Sequence, residues 1–194
     1  MTLPGEGLAQ PSEAPAQPGG RRPLPEARSV MHRRQQELLV GVHDHLREEL
    51  AQITGSVQQV VAGTADPGQA RASINAMSIR QNYWTLGAFC ASYCRVVTMH
   101  HTIESRAWFP VLAQGEPDLG EIVQRLHEEH EVIAGMLVEL DDALVALVGA
   151  QDPQPAAVPR LEAAVDRLAL TLLTHLDDEE SALLEPLGRI LIEG

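Results

Sequence analysis

LEAAVDRLALTLLTHLDDEESALL, residues 161–184, reads as one helix with a chemically divided stripe. Leu161, Val165, Leu168, Leu172, His175, Glu179 and Leu183 recur at intervals of three and four, the period of one helix face. All are aliphatic except His175 and Glu179, which sit one turn apart within the apolar line. A pair at i and i+4 points at one spot beside the helix. Burying such groups in a core is costly unless something compensates them.

Working outward, the same pattern recurs. At 100° per residue, Tyr93, Val97, His100 and Glu104 fall within about 60° of arc. Upstream, Leu39, His43, Leu46, Leu50, Ile53 and Val57 share an arc of roughly 80°. A further segment aligns Ile122, Leu126, His130, Ile133, Leu137, Leu140 and Leu144. The expected helices run from Ser29 to Val61, from Gln69 to Phe109 with a kink or short leading helix before Arg80, from Asp118 to Val148, and from Pro159 to Ile192. Pro110, or Gly115-Glu-Pro117 a turn later, ends the second, and Pro186 kinks the end of the fourth. No stretch alternates with period two for long enough to suggest a sheet. Four helices of about 25–35 residues joined by connections make an all-α, up-down-up-down four-helix bundle the expectation.

His-x-x-x-Glu also occurs at His45/Glu49 and His127/Glu131, so the spacing alone decides nothing, and such pairs are common on helix surfaces. The face decides. His45 and Glu49 share their side with Gln52 and Ser56, and His127 and Glu131 lie off the Ile122–Leu144 stripe; both pairs read as solvated. His130 and His175 both lie about 30 Å from the loop joining helices three and four, counted at 1.5 Å per residue. Four inward histidines, one per helix, with Glu104 and Glu179 make a set of four nitrogen and two carboxylate ligands without cysteine. Imidazole with carboxylate suits Fe, Mn or Zn, and two carboxylates able to bridge suit a dinuclear site. His101 is expected at a helix interface, in packing or in support of the ligands.

Length and charge narrow the rest. The chain has 194 residues and a net charge of −13. Residues 1–34 carry a net +2, which leaves −15 on the remainder and argues against a phosphate backbone as partner. Residues 1–28 form an expected disordered Pro/Gly-rich tail, with six of the thirteen prolines in residues 1–27, and 29–194 the bundle. No apolar run approaches the ~18 residues of a membrane span. The first residues show neither a basic cluster nor an apolar stretch, so the expectation is no signal peptide and a cytoplasmic protein. Cys90 and Cys94 read as small core residues, since a disulfide within one helical turn has poor geometry. Glu-x-x-His, HExxH, GxSxG, a Walker loop and GxGxxG are all absent.

Together, His43-Asp-His-Leu, His100-His-Thr-Ile-Glu104 followed by Trp108-Phe-Pro110, Leu126-His-Glu-Glu-His130 and His175-Leu-Asp-Asp-Glu179 resemble the hemerythrin-like, HHE-type cation-binding proteins. The order H, HxxxE, H, HxxxE is similar to a variant of actinobacterial type, and the resemblance covers roughly residues 30–190. It implies that His43, His100, His130 and His175 are terminal ligands. It makes Glu104 and Glu179 the carboxylate bridges of a non-haem di-iron centre, with Mn or Zn the lesser options. Classical oxygen carriers have His-x-x-x-His in helix three, where this chain has Leu126, and a longer His-to-Asp spacing in helix four. One histidine fewer leaves a coordination position to water, hydroxide or another side chain, which argues against reversible oxygen carriage.

The resemblance implies O2, H2O2 or NO as small ligands, with no nucleic acid, no membrane and an unknown protein partner. Catalase-like peroxide disproportionation is its most concrete enzymatic form, with Tyr93 as the candidate catalytic residue assisting at the metal. An oxidase or oxygenase acting on a dedicated metabolite is the second form. A sensor of iron, oxygen or NO without turnover is the reading from another class, and a structural bundle holding zinc or nothing is the third.

Overall fold

The computed structural model describes residues 23–62, 93–149 and 157–192. Among them the chain forms four long helical rods and no strand, as the periodicity implies. Helix α1 spans Val30–Val61. Helix α2 is continuous through α-helical Tyr93–Ile103, a π-helical turn at Glu104–Trp108 and α-helical Phe109–Gly115. A 3-10 turn, Pro117–Leu119, leads into α3 at Gly120–Gly149, and α4 spans Ala157–Leu187. Both α1 and α3 pack along α4, and α2 leans on α3. None of these helices is long and apolar enough to cross a membrane.

The expected start of the second helix near Gln69, its kink before Arg80, and Tyr83, Trp84, Phe89 and Cys90 lie outside the described residues. At its other end α2 runs through Pro110 to Gly115. Proline has no N–H, and its ring crowds the carbonyl four residues back. Here that carbonyl belongs to Arg106, inside the π turn, where the Phe109 N–H reaches five residues back to the Glu104 carbonyl. The slipped register widens the helix at the place where the proline needs room.

Helix α4 stops at Leu187, short of the expected Ile192, because Gly188 and Arg189 turn the chain back. Only glycine fits at 188, since a Cβ there would lie 2.3 Å from the Glu26 carbonyl oxygen. The carbonyls left open by the helix end find side-chain donors on α1: Gln36 Nε2 donates to Leu184 at 2.6 Å and Gln35 Nε2 to Leu187 at 3.3 Å. Gln35 then pairs with the returning strand of chain through the Ile190 carbonyl and the Ile192 N–H. The segment before α1 is tied to the same place. Leu24 packs on the apolar cluster there, and the Arg28 N–H donates to the Gly188 carbonyl at 2.8 Å.

The core is two apolar clusters with a polar layer between them. One contains Leu46, Val97, Ile133 and Leu176; the other contains Leu39, Phe109, Leu126 and Leu183. On three helices the chain passes from one cluster to the other through a histidine, His43 between Leu39 and Leu46, His100 between Val97 and Phe109 and His130 between Leu126 and Ile133, and on α4 it does so through Glu179 between Leu176 and Leu183, one turn after His175. The titratable layer is therefore dry above and below, where electrostatic effects are strongest.

Candidate metal centre

His43, His100, His130 and His175 are all buried, as are Glu104 and Glu179, and the four helices bring them to one level. They form two histidine pairs of matching geometry. His43 and His100 meet edge to face at 76°, with their Nε2 atoms 3.0 Å apart. His130 and His175 do the same at 76°, with Nε2 atoms 3.1 Å apart. The carboxylates lie across the pairs. Glu104 Oε1 is 3.1 Å from His100 Nδ1, and its Oε2 is 3.8 Å from His130 Nε2. Glu179 Oε2 is 3.4 Å from His43 Nε2 and 3.7 Å from His175 Nε2. Each carboxylate thus touches one histidine of either pair.

His101 lies at the helix interface, where packing or support of the ligands is the first expectation and ligation the lesser one. Its ring stacks on His130, centroids 3.9 Å apart and 4° from parallel, and meets His175 edge-on at 5.2 Å. Its buried Nε2 has no hydrogen-bond partner. The potential ligands accordingly gather as His43, His100, Glu104 and Glu179 in one group and His101, His130 and His175 in the other. Helix α2 is buried on two sides, so adjacent residues 100° apart both face inward. The doublet His100-His101 on such a helix was the signal in the sequence for a fifth imidazole.

The outer nitrogens follow a rule. His43 Nδ1 donates to Glu180 at 2.9 Å, and Glu180 is held in turn by Arg47 at 2.7 Å. His175 Nδ1 donates to Glu129 at 2.8 Å. His130 Nδ1 lies 2.9 Å from the Ser105 hydroxyl, which also meets His127 Nδ1 at 3.0 Å. A bond from Nδ1–H to such a partner fixes the tautomer that presents Nε2 as a lone pair. Glu180, Glu129 and Ser105 each sit beside Glu179, His130 and Glu104 in sequence, yet each supports a histidine on the next helix. Support passes from α4 to α1, from α3 to α4 and from α2 to α3.

The electrostatics show what the layer lacks. None of the four oxygens of Glu104 and Glu179 accepts a bond from a neighbouring donor. Burial, then the charge of Glu179, push the Glu104 carboxyl well above its ordinary range. Burial and neighbouring imidazoles hold His100 down to about 2 and His130 to about 3, and drive His101 lower still. Burial opposes charge on His43, but Glu179 and Glu180 outweigh it and the net shift is upward. Imidazoles facing one another around carboxylates that accept no hydrogen bond are a donor set that suits divalent cations.

Of the two pairs expected to be solvated, His127 and Glu131 are exposed. His45 is exposed too, but Glu49 is buried, and burial raises its carboxyl. It lies four residues before Ile53, at the edge of the α1 stripe, where the apolar contacts reach further round than the arc implied. The Tyr93 hydroxyl donates to the Leu46 carbonyl at 3.3 Å, beside the first turn after His43. Replacing Glu180 with alanine is expected to weaken metal binding roughly 10–100-fold. In the same competition assay against a chelator, His45→Ala and His127→Ala should stay within a few-fold of the parent. Equal loss in all three would refute the assignment by face.

A family model described as the hemerythrin HHE cation binding domain matches residues 34–187. No curated protein and no solved structure matches the chain.

Proposed function

Because the chain belongs to the hemerythrin HHE cation-binding family, we propose that its two ligand groups hold a carboxylate-bridged pair of iron ions that binds and processes O2 or peroxide. The observation that carries this reading is the placement of Glu104 and Glu179, each between one histidine of either pair with its oxygens undonated. His43 and His100 would serve one ion, His130 and His175 the other. His101 would add a third imidazole on the second side. Iron so bound supplies Lewis acidity and one-electron redox chemistry toward a small oxygen or nitrogen ligand.

The chain's own residues make the two sides unequal. Three imidazoles gather at the His130 side and two at the His43 side. The His43 side adds both carboxylates, so its group holds four potential ligands against three on the other side. A polar cleft of about 210 Å³, with Ser105, His127 and His130 in its wall, reaches the other side from solvent. The Ser105 hydroxyl, between His127 and His130, gives protons a hydrogen-bonded connection to the outside. Tyr93 joins this reading as an assisting group whose hydroxyl must first leave the Leu46 carbonyl.

Metal analysis with visible spectroscopy before and after peroxide tests the proposal. The expected result is two irons per chain, absorption that changes on peroxide, and O2 evolved. Tyr93→Phe should keep the metal and slow the turnover. Iron with no response to peroxide would favour a sensor of iron, oxygen or NO, and zinc in both positions would remove the redox reading.

A further inference from the structure

The passing of support from helix to helix breaks at one place. His100 Nδ1 faces Glu104 of its own helix at 3.1 Å, whereas His43, His130 and His175 turn their Nδ1 to a side chain on a neighbouring helix. The interrupted step is the one from α1 to α2. At that face lies a cavity of about 470 Å³, with His100 and Glu104 in its wall. Leu38, Val42, Val96, Met99, Ile103 and Trp108 make the rest overwhelmingly apolar.

Its volume lies within the ~300–1,000 Å³ typical of small-molecule sites. It corresponds to on the order of 15 non-hydrogen atoms at roughly 30 Å³ each. Leu38, Met99 and Ile103 leave large apolar surfaces open to water at 57 %, 56 % and 48 % exposure, all at this one place. Clustered apolar exposure of this kind marks a binding surface. The recess ends at His100 and Glu104, which are themselves 9 % and 1 % exposed, so it is deeper than a flat docking face.

We infer that this cavity binds an uncharged organic molecule with an aliphatic or aromatic body, entering between α1 and α2 and ending beside His100 and Glu104. Charge is disfavoured because, among the described residues, the lining offers no buried counter-ion apart from Glu104, which belongs to the proposed ligand set. Glu37 and His45, the other polar side chains of the wall, are solvent-exposed. The chain's net charge of −13 further repels anions. The inference deepens the metal reading by naming what reaches the His43 and His100 side of the centre, and it rests on that reading for the chemistry met at the inner end.

Gly41 provides the test. It belongs to the cavity wall, and a Cβ built there meets no atom within 4 Å. Gly41→Leu therefore fills the space while replacing glycine with a better helix former. Gly135→Leu on α3 makes the same exchange at an exposed site, also with nothing within 4 Å. The purified full chain is titrated with 1-alkanols from hexanol to dodecanol, read by displacement of Nile red, with metal content measured on the same samples.

Affinity is expected to rise about fourfold per methylene. Gly41→Leu should weaken decanol at least about tenfold and hexanol less, and Gly135→Leu should bind like the parent. Octanol should also shift the visible absorption of metal-loaded protein. Equal binding by Gly41→Leu and the parent, or no dependence on chain length, overturns the inference even if two metals are bound. Alkanol binding that Gly41→Leu abolishes, in protein that takes up no metal, upholds the cavity and refutes the metal reading instead.

Discussion

Glu104→Gln is expected to lose metal while keeping its fold. The amide keeps the shape of the acid and removes only its ability to carry charge. Glu104 reaches His100 with one oxygen and His130 with the other, so its loss is felt on both sides of the centre. Losing a group that merely orients a ligand costs roughly 10–100-fold in affinity, and losing a shared ligand costs more. After dialysis against a competing chelator, Glu104→Gln should retain less than roughly a tenth of the parent's metal.

The metal-free variant should behave in the opposite way. Glu104 is pushed toward its protonated form by burial and by Glu179, so without metal a neutral amide costs nothing and removes a buried acid pair. Metal-free Glu104→Gln should unfold at the same temperature as the metal-free parent or higher. Full metal occupancy in the amide variant would show that Glu104 is a buried core acid and no ligand.

Removing the metal should destabilise the parent strongly, and the metal-free protein should itself lose stability in acid. One site held at a thousand times its dissociation constant contributes about 4 kcal/mol, or about 8–16 °C in melting temperature for a chain of this size. The pH dependence of the metal-free protein follows from the imidazoles. His100, His101 and His130 stay neutral in the folded state well below their ordinary 6.5, while the unfolded chain takes up protons there. The unfolded state then binds more protons, so stability falls as pH drops below 6.5.

Three groups act with the opposite sign. Glu104 and Glu49 are raised, so their contributions are complete below their ordinary 4.5 and are lost as pH rises through the folded values. His43 is raised too, so its contribution is complete below 6.5 and disappears above its folded value. Between pH 6.5 and 4.5 the three depressed imidazoles outnumber the two raised carboxyls, so stability falls on acidification. Thermal melts of chelator-treated protein across that window check the sign, and a flat or rising melting temperature on acidification would contradict it.

The stripes of α1, α3 and α4 were legible because their polar members lie on the apolar line itself. His43 sits between Leu39 and Leu46, and His175 with Glu179 between Leu172 and Leu183, so periodicity alone places them inside. Periodicity fails where a helix is buried on two sides. His101 lies 100° from His100, so the pattern alone does not choose between packing, support and ligation, while α2 turns one side to α1 and the other to α3. The π turn at Glu104 was invisible for a related reason, since a slipped register is an answer to neighbours and to Pro110, not a pattern in residue type.

Glu129, Glu180 and Ser105 were hidden by their own sequence positions. Each is one residue from a ligand, hence off the stripe, and reads as solvated until the adjacent helix is in place. The cavity between α1 and α2 is a property of the gap, which no single helix carries.

For anyone moving this centre into another bundle, the unit of transfer is the adjacent pair. Copied as seven isolated side chains, it would arrive with three imidazoles free to turn the wrong nitrogen inward. Copied as Glu104-Ser105, Glu129-His130 and Glu179-Glu180, it would bring the acceptors that settle those rings, provided that neighbouring helices keep their order. Each helix would then be an adaptor for the next, and exchanging two of them would disorder the centre without changing a single ligand.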